Sequence, residues 1–261
     1  MREDLKINLI QTDLHWEDPE KNLLMFSELI SENKAESDLI ILPEMFNTGF
    51  TTNSALFAEE VNGITISWMR QTAKEQNCVI TGSLVITENE NFYNRLIWMK
   101  PDGNFHHYDK RHLFRMSGEH KHFTAGTDKI IVELKGWKIC PLICYDLRFP
   151  VWSRNQNNDY DILIYIANWP EKRSYVWKSL LVSRSIENLS YVIGVNRVGI
   201  DGNDISYAGD SAIIDAKGNY VAVTIQYKTE ILSFDLSFDE LKEFRNSFPA
   251  HLDADDFEIK I

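Results

Sequence analysis

The sequence predicts a mixed α/β protein in which layered β-sheets are covered by helices on their outer faces. Apolar runs of strand length alternate with amphipathic helical segments along most of the chain. Short turns also join several neighbouring strands into hairpins, which disfavours a simple doubly wound sheet. No internal repeat, low-complexity tract or linker is visible. We therefore expect one domain over residues 1–261, with a core over about residues 5–235 and a C-terminal extension over about residues 236–261.

The first half of the chain has clear helix and strand signals. A first helix is expected to begin at Asp18-Pro19-Glu20, which combines a capping side chain, a proline at the first helical position and an acid in the first turn. A second helix is expected over about residues 65–75. Apolar patterning predicts strands at residues 7–11, 38–43, 78–87, 93–99 and 105–108.

The second half continues the same pattern. A longer helix is expected over about residues 175–188. Strands are predicted at residues 130–134, 137–143, 162–167, 191–198, 211–215, 220–225 and 230–234. Residues 248–261 are polar and acidic with scattered apolar side chains, so we expect this stretch to dock on another surface, such as a second subunit.

The charge and cysteine content restrict the choice of partners and compartment. The 27 Lys and Arg against 39 Asp and Glu give a net charge of −12, which repels nucleic acid and anionic membranes. Three cysteines are too few for a disulfide framework and indicate a reducing compartment. We find neither a signal peptide nor an apolar run long enough to span a membrane. We therefore expect a cytoplasmic protein with no nucleic-acid or membrane partner.

Three polar residues stand at the ends of apolar strands in widely separated parts of the chain: Glu44, Lys110 and Cys144. Strand ends of a layered sheet protein converge on a common rim, where sites form. There a carboxylate could take the thiol proton, the thiolate could attack a carbonyl carbon, and the ammonium could hold the oxyanion. The backbone N–H of Tyr145 would be a second oxyanion donor.

Each of these side chains also has an ordinary structural interpretation. Glu44 could be an acid at a helix N-terminus, Lys110 a solvated charge and Cys144 a buried structural cysteine. The spacing alone does not decide between these roles and catalysis.

Five ordered blocks carry a resemblance to a known family. Around the three polar residues they are Leu42-Pro43-Glu44-Met45-Phe46, Tyr108-Asp109-Lys110-Arg111-His112-Leu113-Phe114 and Ile143-Cys144-Tyr145-Asp146-Leu147-Arg148-Phe149-Pro150. The other two are Arg184-Ser185-Ile186-Glu187-Asn188 followed by Tyr191, and Asn196-Arg197-Val198-Gly199 leading to Gly209-Asp210-Ser211. Together they resemble the nitrilase superfamily of carbon–nitrogen hydrolases over roughly residues 5–235.

The resemblance implies a four-layer α-β-β-α sandwich and a Glu-Lys-Cys triad. It maps Glu44 as general base, Lys110 as proton donor and oxyanion partner, and Cys144 as nucleophile. Glu119 matches a second glutamate that positions substrate and lysine. It also implies a homodimer and no cofactor.

Within the superfamily, the chain looks most like the bacterial omega-amidases. Nitrilases proper usually carry Trp-Glu after the nucleophile, and here Tyr145-Asp146 follows Cys144. The omega-amidase resemblance lies in residues 44–50, 112–120 and 168–173. It implies hydrolysis of the terminal amide of 2-oxoglutaramate and 2-oxosuccinamate.

Such a dicarboxylic monoamide needs a cation for its free carboxylate, ideally a forked guanidinium. Arg173 is the first choice, with Arg148 and Arg115 as further ones. An arginine paired with Asp146 or Glu171 to brace a loop is the structural alternative. Phe46, Phe50 and Trp169 could form aromatic walls of the pocket, although aromatic rings more often belong to the core.

Three other functions remain open. The histidines between His106 and His122 could hold a metal, but no HExxH or CxxC spacing supports zinc, so we expect no metal site. His112 or His120 is instead expected to donate to the glutamates. A non-catalytic binding protein on the same fold is the second possibility. Hydrolysis of N-carbamoyl amines or N-carbamoyl amino acids with the same triad is the third.

Overall fold

The computed structural model describes residues 3–260. Its strands are β1 Leu5–Gln11, β2 Leu39–Ile41, β3 Val79–Glu88, β4 Asn91–Met99, β5 Phe105–Asp109, β6 Val132–Leu134, β7 Trp137–Ile143, β8 Ile162–Ala167, β9 Tyr191–Asn196, β10 Val198–Ile200, β11 Ser206–Ala208, β12 Ala212–Ile214, β13 Tyr220–Val223 and β14 Glu230–Leu236. Its helices are α1 Pro19–Glu32, α2 Ser54–Phe57, α3 Ile64–Gln76, α4 Pro150–Ser153, α5 Ser174–Asn188 and α6 Phe238–Ser247.

The strands form two six-stranded sheets and one small two-stranded sheet. The first sheet has the order β14-β1-β2-β3-β4-β5, and the second has the order β13-β12-β9-β8-β7-β6. Within each sheet the central strands are parallel, as in the pairing of β1 with β2 and of β7 with β8. The small sheet pairs β10 with β11.

The core explains why the two sheets stack. Alternate side chains of the first sheet, such as Leu39 and Ile41, join one apolar cluster with the strands of the second sheet. The intervening Ile40 belongs to a second cluster, between the first sheet and helices α1 and α3. On the far side of the second sheet, Trp177 and Leu181 of α5 pack against its strands. The layers therefore run α-β-β-α, and the predicted four-layer order is confirmed.

Most predicted elements are present, and the differences are local. Helix α1 begins as expected, with the Asp18 side chain accepting a hydrogen bond from Lys21 N–H at 3.1 Å. The expected strand at residues 191–198 is divided into β9 and β10 at Arg197. The sequence patterns did not reveal β11 or the short helices α2 and α4. None of the helices within residues 3–260 is long and apolar enough to cross a bilayer.

The expected C-terminal extension is partly built into the fold. Strand β14 continues to Leu236 beside Leu5, and helix α6 follows with Leu241 buried in the main core. Beyond α6, the Gln156 side-chain amide donates to the Phe257 carbonyl at 3.1 Å. Part of the last segment therefore lies against its own chain.

Candidate active site

A buried ammonium and two buried carboxylates lie together beyond the ends of β2 and β5. Lys110 Nζ is 2.8 Å from Glu44 Oε1, 2.9 Å from Glu119 Oε1 and 3.1 Å from Glu119 Oε2. Glu44 and Glu119 are fully buried and Lys110 is 1% exposed. The geometry therefore brings together three of the four residues that the sequence assigned to catalysis.

Cys144, the fourth residue, sits on a sharp turn at the end of β7. Its φ of 43° is in the left-handed region, which few non-glycine residues adopt. A tight 3-10 turn over Cys144–Arg148 begins there, so the N–H of Tyr145 lies in its first positions. The surrounding fold holds this strained turn in place and presents the thiol to a cavity.

Asp146 fixes the turn of Cys144 to the loop after Lys110. Its Oδ2 accepts the Tyr108 hydroxyl at 2.7 Å and the Ile143 N–H at 3.1 Å. Its Oδ1 accepts the His112 N–H at 3.0 Å and lies 2.8 Å from His112 Nδ1. The expectation that His112 donates to the glutamates is therefore wrong, because its ring is engaged by Asp146.

In the part of the chain that the structure describes, His120 donates no hydrogen bond to either glutamate, and its Nδ1 is a buried atom without a hydrogen-bond partner. Besides Lys110 Nζ, the backbone N–H of Phe114 donates to Glu119 Oε2, at 2.5 Å.

Two asparagines complete the surroundings of Glu44, and sequence analysis missed both. Asn94 Nδ2 donates to Glu44 Oε1 at 2.9 Å. The Asn168 N–H donates to Glu44 Oε2 at 2.8 Å, and Asn168 Nδ2 donates to the Glu44 carbonyl. Asn168 directly follows β8. The criterion that identified Glu44, a polar residue at the end of an apolar strand, could therefore have identified Asn168 as well. Asn94 lies within a strand and carries no such signal.

Burial and charge shift the pKa values of the reacting groups. Burial raises the pKa of the Cys144 thiol well above its ordinary value, and the charge of Glu44 raises it further, while Lys110 opposes both. Burial also raises the pKa of Glu119, which Lys110 partly offsets. Burial alone would lower the pKa of Lys110, but the charges of Glu119 and Glu44 outweigh it and raise that pKa. The resting thiol is therefore protonated and Lys110 is charged.

A cavity of about 410 Å³ opens above Cys144. Lys110 lies at its base, 5.3 Å from the centre of the Phe50 ring. Five of the residues predicted to bind substrate line it: Phe50, Tyr145, Arg148, Trp169 and Arg173. Arg115 does not. It lies in a neighbouring surface depression with Arg111, on the other side of Tyr145.

The guanidinium groups of the two arginines that line the cavity pack against aromatic rings. The Arg173 guanidinium is 5.2 Å from the Phe114 ring centre, and that of Arg148 is 5.4 Å from the Trp169 ring centre. Within residues 3–260, neither guanidinium forms an ion pair with a carboxylate.

The alternative in which an arginine braces a loop through Asp146 or Glu171 is wrong. Asp146 is engaged as described above, and Glu171 accepts hydrogen bonds from Ser206 and Tyr227. In the part of the chain that the structure describes, no three His, Cys, Asp or Glu side chains are grouped so as to hold a metal ion.

A thiol, an ammonium and two carboxylates beside one cavity, on a sandwich of two sheets, define the class of hydrolases with a cysteine nucleophile. A model of the carbon-nitrogen hydrolase family matches residues 6–246. The chain belongs to this family, as the sequence blocks predicted.

Relatives of known structure or name agree with this placement. Omega-amidase YafV of Escherichia coli (strain K12) is 45% identical over 255 residues, which cover 98% of both chains. The 2-oxoglutaramate amidase of Bacillus subtilis (strain 168) is 33% identical over 248 residues, covering 94% of this chain and 95% of that protein. The crystal structure of XC1258 from Xanthomonas campestris, a CN-hydrolase superfamily protein with an arsenic adduct in its active site, is similar with a TM-score of 0.96 and 43% identity. It covers 98% of this chain and 99% of that one.

Proposed function

We propose that this chain is an omega-amidase, which cleaves the terminal amide of small dicarboxylic monoamides such as 2-oxoglutaramate and 2-oxosuccinamate to the acid and ammonia. One observation carries the substrate class: two guanidinium groups, those of Arg148 and Arg173, line the cavity above Cys144, and neither has a carboxylate partner among the described residues 3–260. The names of the relatives in Escherichia coli and Bacillus subtilis support the same activity.

The first half of the reaction forms a thioester. Glu44 takes the proton of the Cys144 thiol, which burial keeps protonated at rest, and the sulfur attacks the amide carbon. The tetrahedral oxyanion is held by Lys110 Nζ and the N–H of Tyr145. Glu44 then returns the proton to the amide nitrogen, the carbon–nitrogen bond breaks and ammonia leaves.

The second half releases the acid. A water molecule enters where ammonia left and gives a proton to Glu44 as its oxygen attacks the thioester carbon. Lys110 and the Tyr145 N–H hold the second oxyanion in the same way. The carbon–sulfur bond breaks, the thiolate recovers the proton from Glu44, and the site returns to its starting state. Glu119 contributes by holding Lys110 with both carboxylate oxygens.

The other end of the substrate carries a carboxylate, for which a forked guanidinium is the best-matched partner. Arg173 is our first choice, and Arg148 stands on the same cavity. The rings of Phe50 and Trp169 form apolar parts of the wall, which suit the short carbon chain of such a substrate.

The test is an ammonia-release assay across 2-oxoglutaramate, 2-oxosuccinamate, glutamine, an N-carbamoyl amino acid and a nitrile. We expect turnover of the first two only. The variant Cys144→Ala should fold and release no ammonia, whereas Cys78→Ala, which alters a buried cysteine outside the cavity, should keep the activity. Equal turnover of glutamine, or activity in Cys144→Ala, would refute the proposal.

We also infer that the protein is a cytoplasmic homodimer. Three free cysteines fit a reducing compartment. Exposed apolar side chains on α5 and β13, among them Tyr175 (81% exposed), Ile186 and Val223, support an interface between copies. Light scattering on the purified protein and fractionation of cells test the two statements separately.

A further inference from the structure

Asn94 lies in the middle of β4 with its side chain between the two carboxylates of the site. The residue is fully buried, and its Nδ2 is 2.9 Å from Glu44 Oε1 and 3.5 Å from Glu119 Oε1. Its backbone carbonyl accepts the Lys110 N–H at 3.0 Å. One residue thus contacts Glu44 through its side chain and Lys110 through its main chain.

The charges around Asn94 explain why an amide is useful there. Two carboxylates share the single ammonium of Lys110, so if both ionise, the buried cluster carries an excess negative charge. Like charges at this distance resist joint ionisation, and burial strengthens the effect. A neutral donor directed at Glu44 stabilises the ionised form of that carboxylate without adding a charge that would compete for the thiol proton.

We propose that Asn94 is a positioning residue that holds the Glu44 carboxylate in place to accept the proton of the Cys144 thiol. It does not line the cavity, so it acts through Glu44 and not through the substrate. The inference rests on the role proposed above for Glu44 as the base, but on no particular amide.

The other side-chain atom of Asn94 supports a functional role. Asn94 Oδ1 is buried, and no donor within residues 3–260 forms a hydrogen bond to it. A buried acceptor without a donor destabilises the folded state, and an apolar side chain at this position would remove that penalty. An apolar side chain, however, could not donate to Glu44. The protein nevertheless has an amide at this position, with an unsatisfied oxygen and a donating nitrogen. This is expected of a residue that serves function at a cost in folding stability.

Alkylation of Cys144 by iodoacetamide tests the inference without any amide substrate. The rate is measured on the intact protein as a function of pH, by mass spectrometry of the peptide that contains Cys144. In Asn94→Ala the rate should fall roughly tenfold to hundredfold, because Glu44 loses the hydrogen bond that holds it in place to accept the thiol proton. At high pH, where hydroxide can take the thiol proton without Glu44, the rates of the two proteins should converge.

Two further variants make the result decisive. Asn94→Leu, which has a similar volume but no donor, should show the same pH-dependent loss, so that one well-folded variant suffices. Asn91→Asp alters an exposed asparagine at the start of the same strand and should leave the profile unchanged. An unchanged rate in the Asn94 variants, or a rate that falls equally at every pH, would overturn the proposal. A loss that disappears at high pH, in a protein that fails to hydrolyse 2-oxoglutaramate, would support the role of Asn94 and refute only the proposed substrate.

Discussion

The Asp146 carboxylate accepts a hydrogen bond from the Tyr108 hydroxyl at 2.7 Å, and this contact joins the turn of Cys144 to the strand that leads into Lys110. Both side chains are buried. The Tyr108 oxygen in turn accepts the indole N–H of Trp152 at 3.0 Å. The nucleophile and the ammonium come from different sheets, so their relative position depends on this bridge.

We expect Tyr108→Phe to destabilise the protein by about 1–3 kcal/mol, because Asp146 loses a donor and the Trp152 N–H loses its acceptor in a buried place. Ammonia release should also slow, since the turn of Cys144 is held less firmly. Urea unfolding measures the first effect and steady-state kinetics the second. Tyr93→Phe, which removes the same atom from a half-buried ring whose hydroxyl has no hydrogen-bond partner within residues 3–260, is the matched control and should change neither. Equal stability of the two variants would show that the bridge is not a structural support.

Local patterns in the sequence placed the ends of two of the three strands that lead to the site. Glu44 and Cys144 each follow an apolar run, which determines where the buried strand stops and the rim begins, whereas Lys110 follows the mixed strand Phe105–Asp109. The pairing of distant strands could not be predicted in the same way. Strand β14 lies beside β1 with Leu236 opposite Leu5, and no local pattern near either residue signals this partner.

The other residues of the site are determined by the directions of their side chains, which the spacing of residues along the sequence does not reveal. Asn94 occupies an ordinary strand position, and its side chain meets Glu44 because β2 and β4 lie on either side of β3 in the first sheet. In the tight turn around Arg115, Phe114 and Ser117 line the cavity whereas Arg115 lies outside it. Neighbouring residues of such a turn point in different directions, so the motif alone could not separate them.

The role of the arginines predicts a selective loss of affinity. Arg173→Lys keeps the charge but loses the forked geometry, so the KM for 2-oxoglutaramate should rise on the order of 10-fold or more. Butyramide has the amide but no carboxylate, and its kcat/KM should be unchanged. Arg70→Lys, a substitution outside the cavity, controls for general effects. If Arg148→Lys shows the selective loss and Arg173→Lys does not, the carboxylate binds to Arg148.

Glu119→Gln tests how far Lys110 depends on its second carboxylate. The amide keeps the shape of the side chain but removes one of the two charges that orient and stabilise the Lys110 ammonium. We expect kcat to fall roughly 10- to 100-fold with little change in KM, because the substitution weakens the stabilisation of the oxyanion and not the binding of substrate. The exposed Glu133→Gln is the control for removing a carboxylate elsewhere. A rise in KM alone would instead assign Glu119 to substrate binding.

The buried thiols predict how stability changes at high pH. Burial raises the pKa of Cys140 from 9.0 to about 12. Between these values the unfolded chain loses the thiol proton while the folded protein keeps it, so the free energy of unfolding must fall as pH rises through this window. The contribution of one such thiol is at most about 1.4 kcal/mol per pH unit. In Cys140→Ala this contribution disappears, and the decline of stability above about pH 9 should be shallower than in the native protein.

The comparison must separate titration from lost packing, because Cys140→Ala also leaves a small cavity. Ile139→Val, at the neighbouring buried position, removes apolar volume without removing a titratable group. Urea unfolding of the three proteins between about pH 8 and pH 11 should give Ile139→Val a curve parallel to the native one and offset by a constant amount. The curve of Cys140→Ala should instead converge on the native curve as pH rises. Parallel curves for all three proteins would show that the Cys140 thiol has the same pKa in the folded and unfolded states. That result would contradict the complete burial of this thiol in the structure.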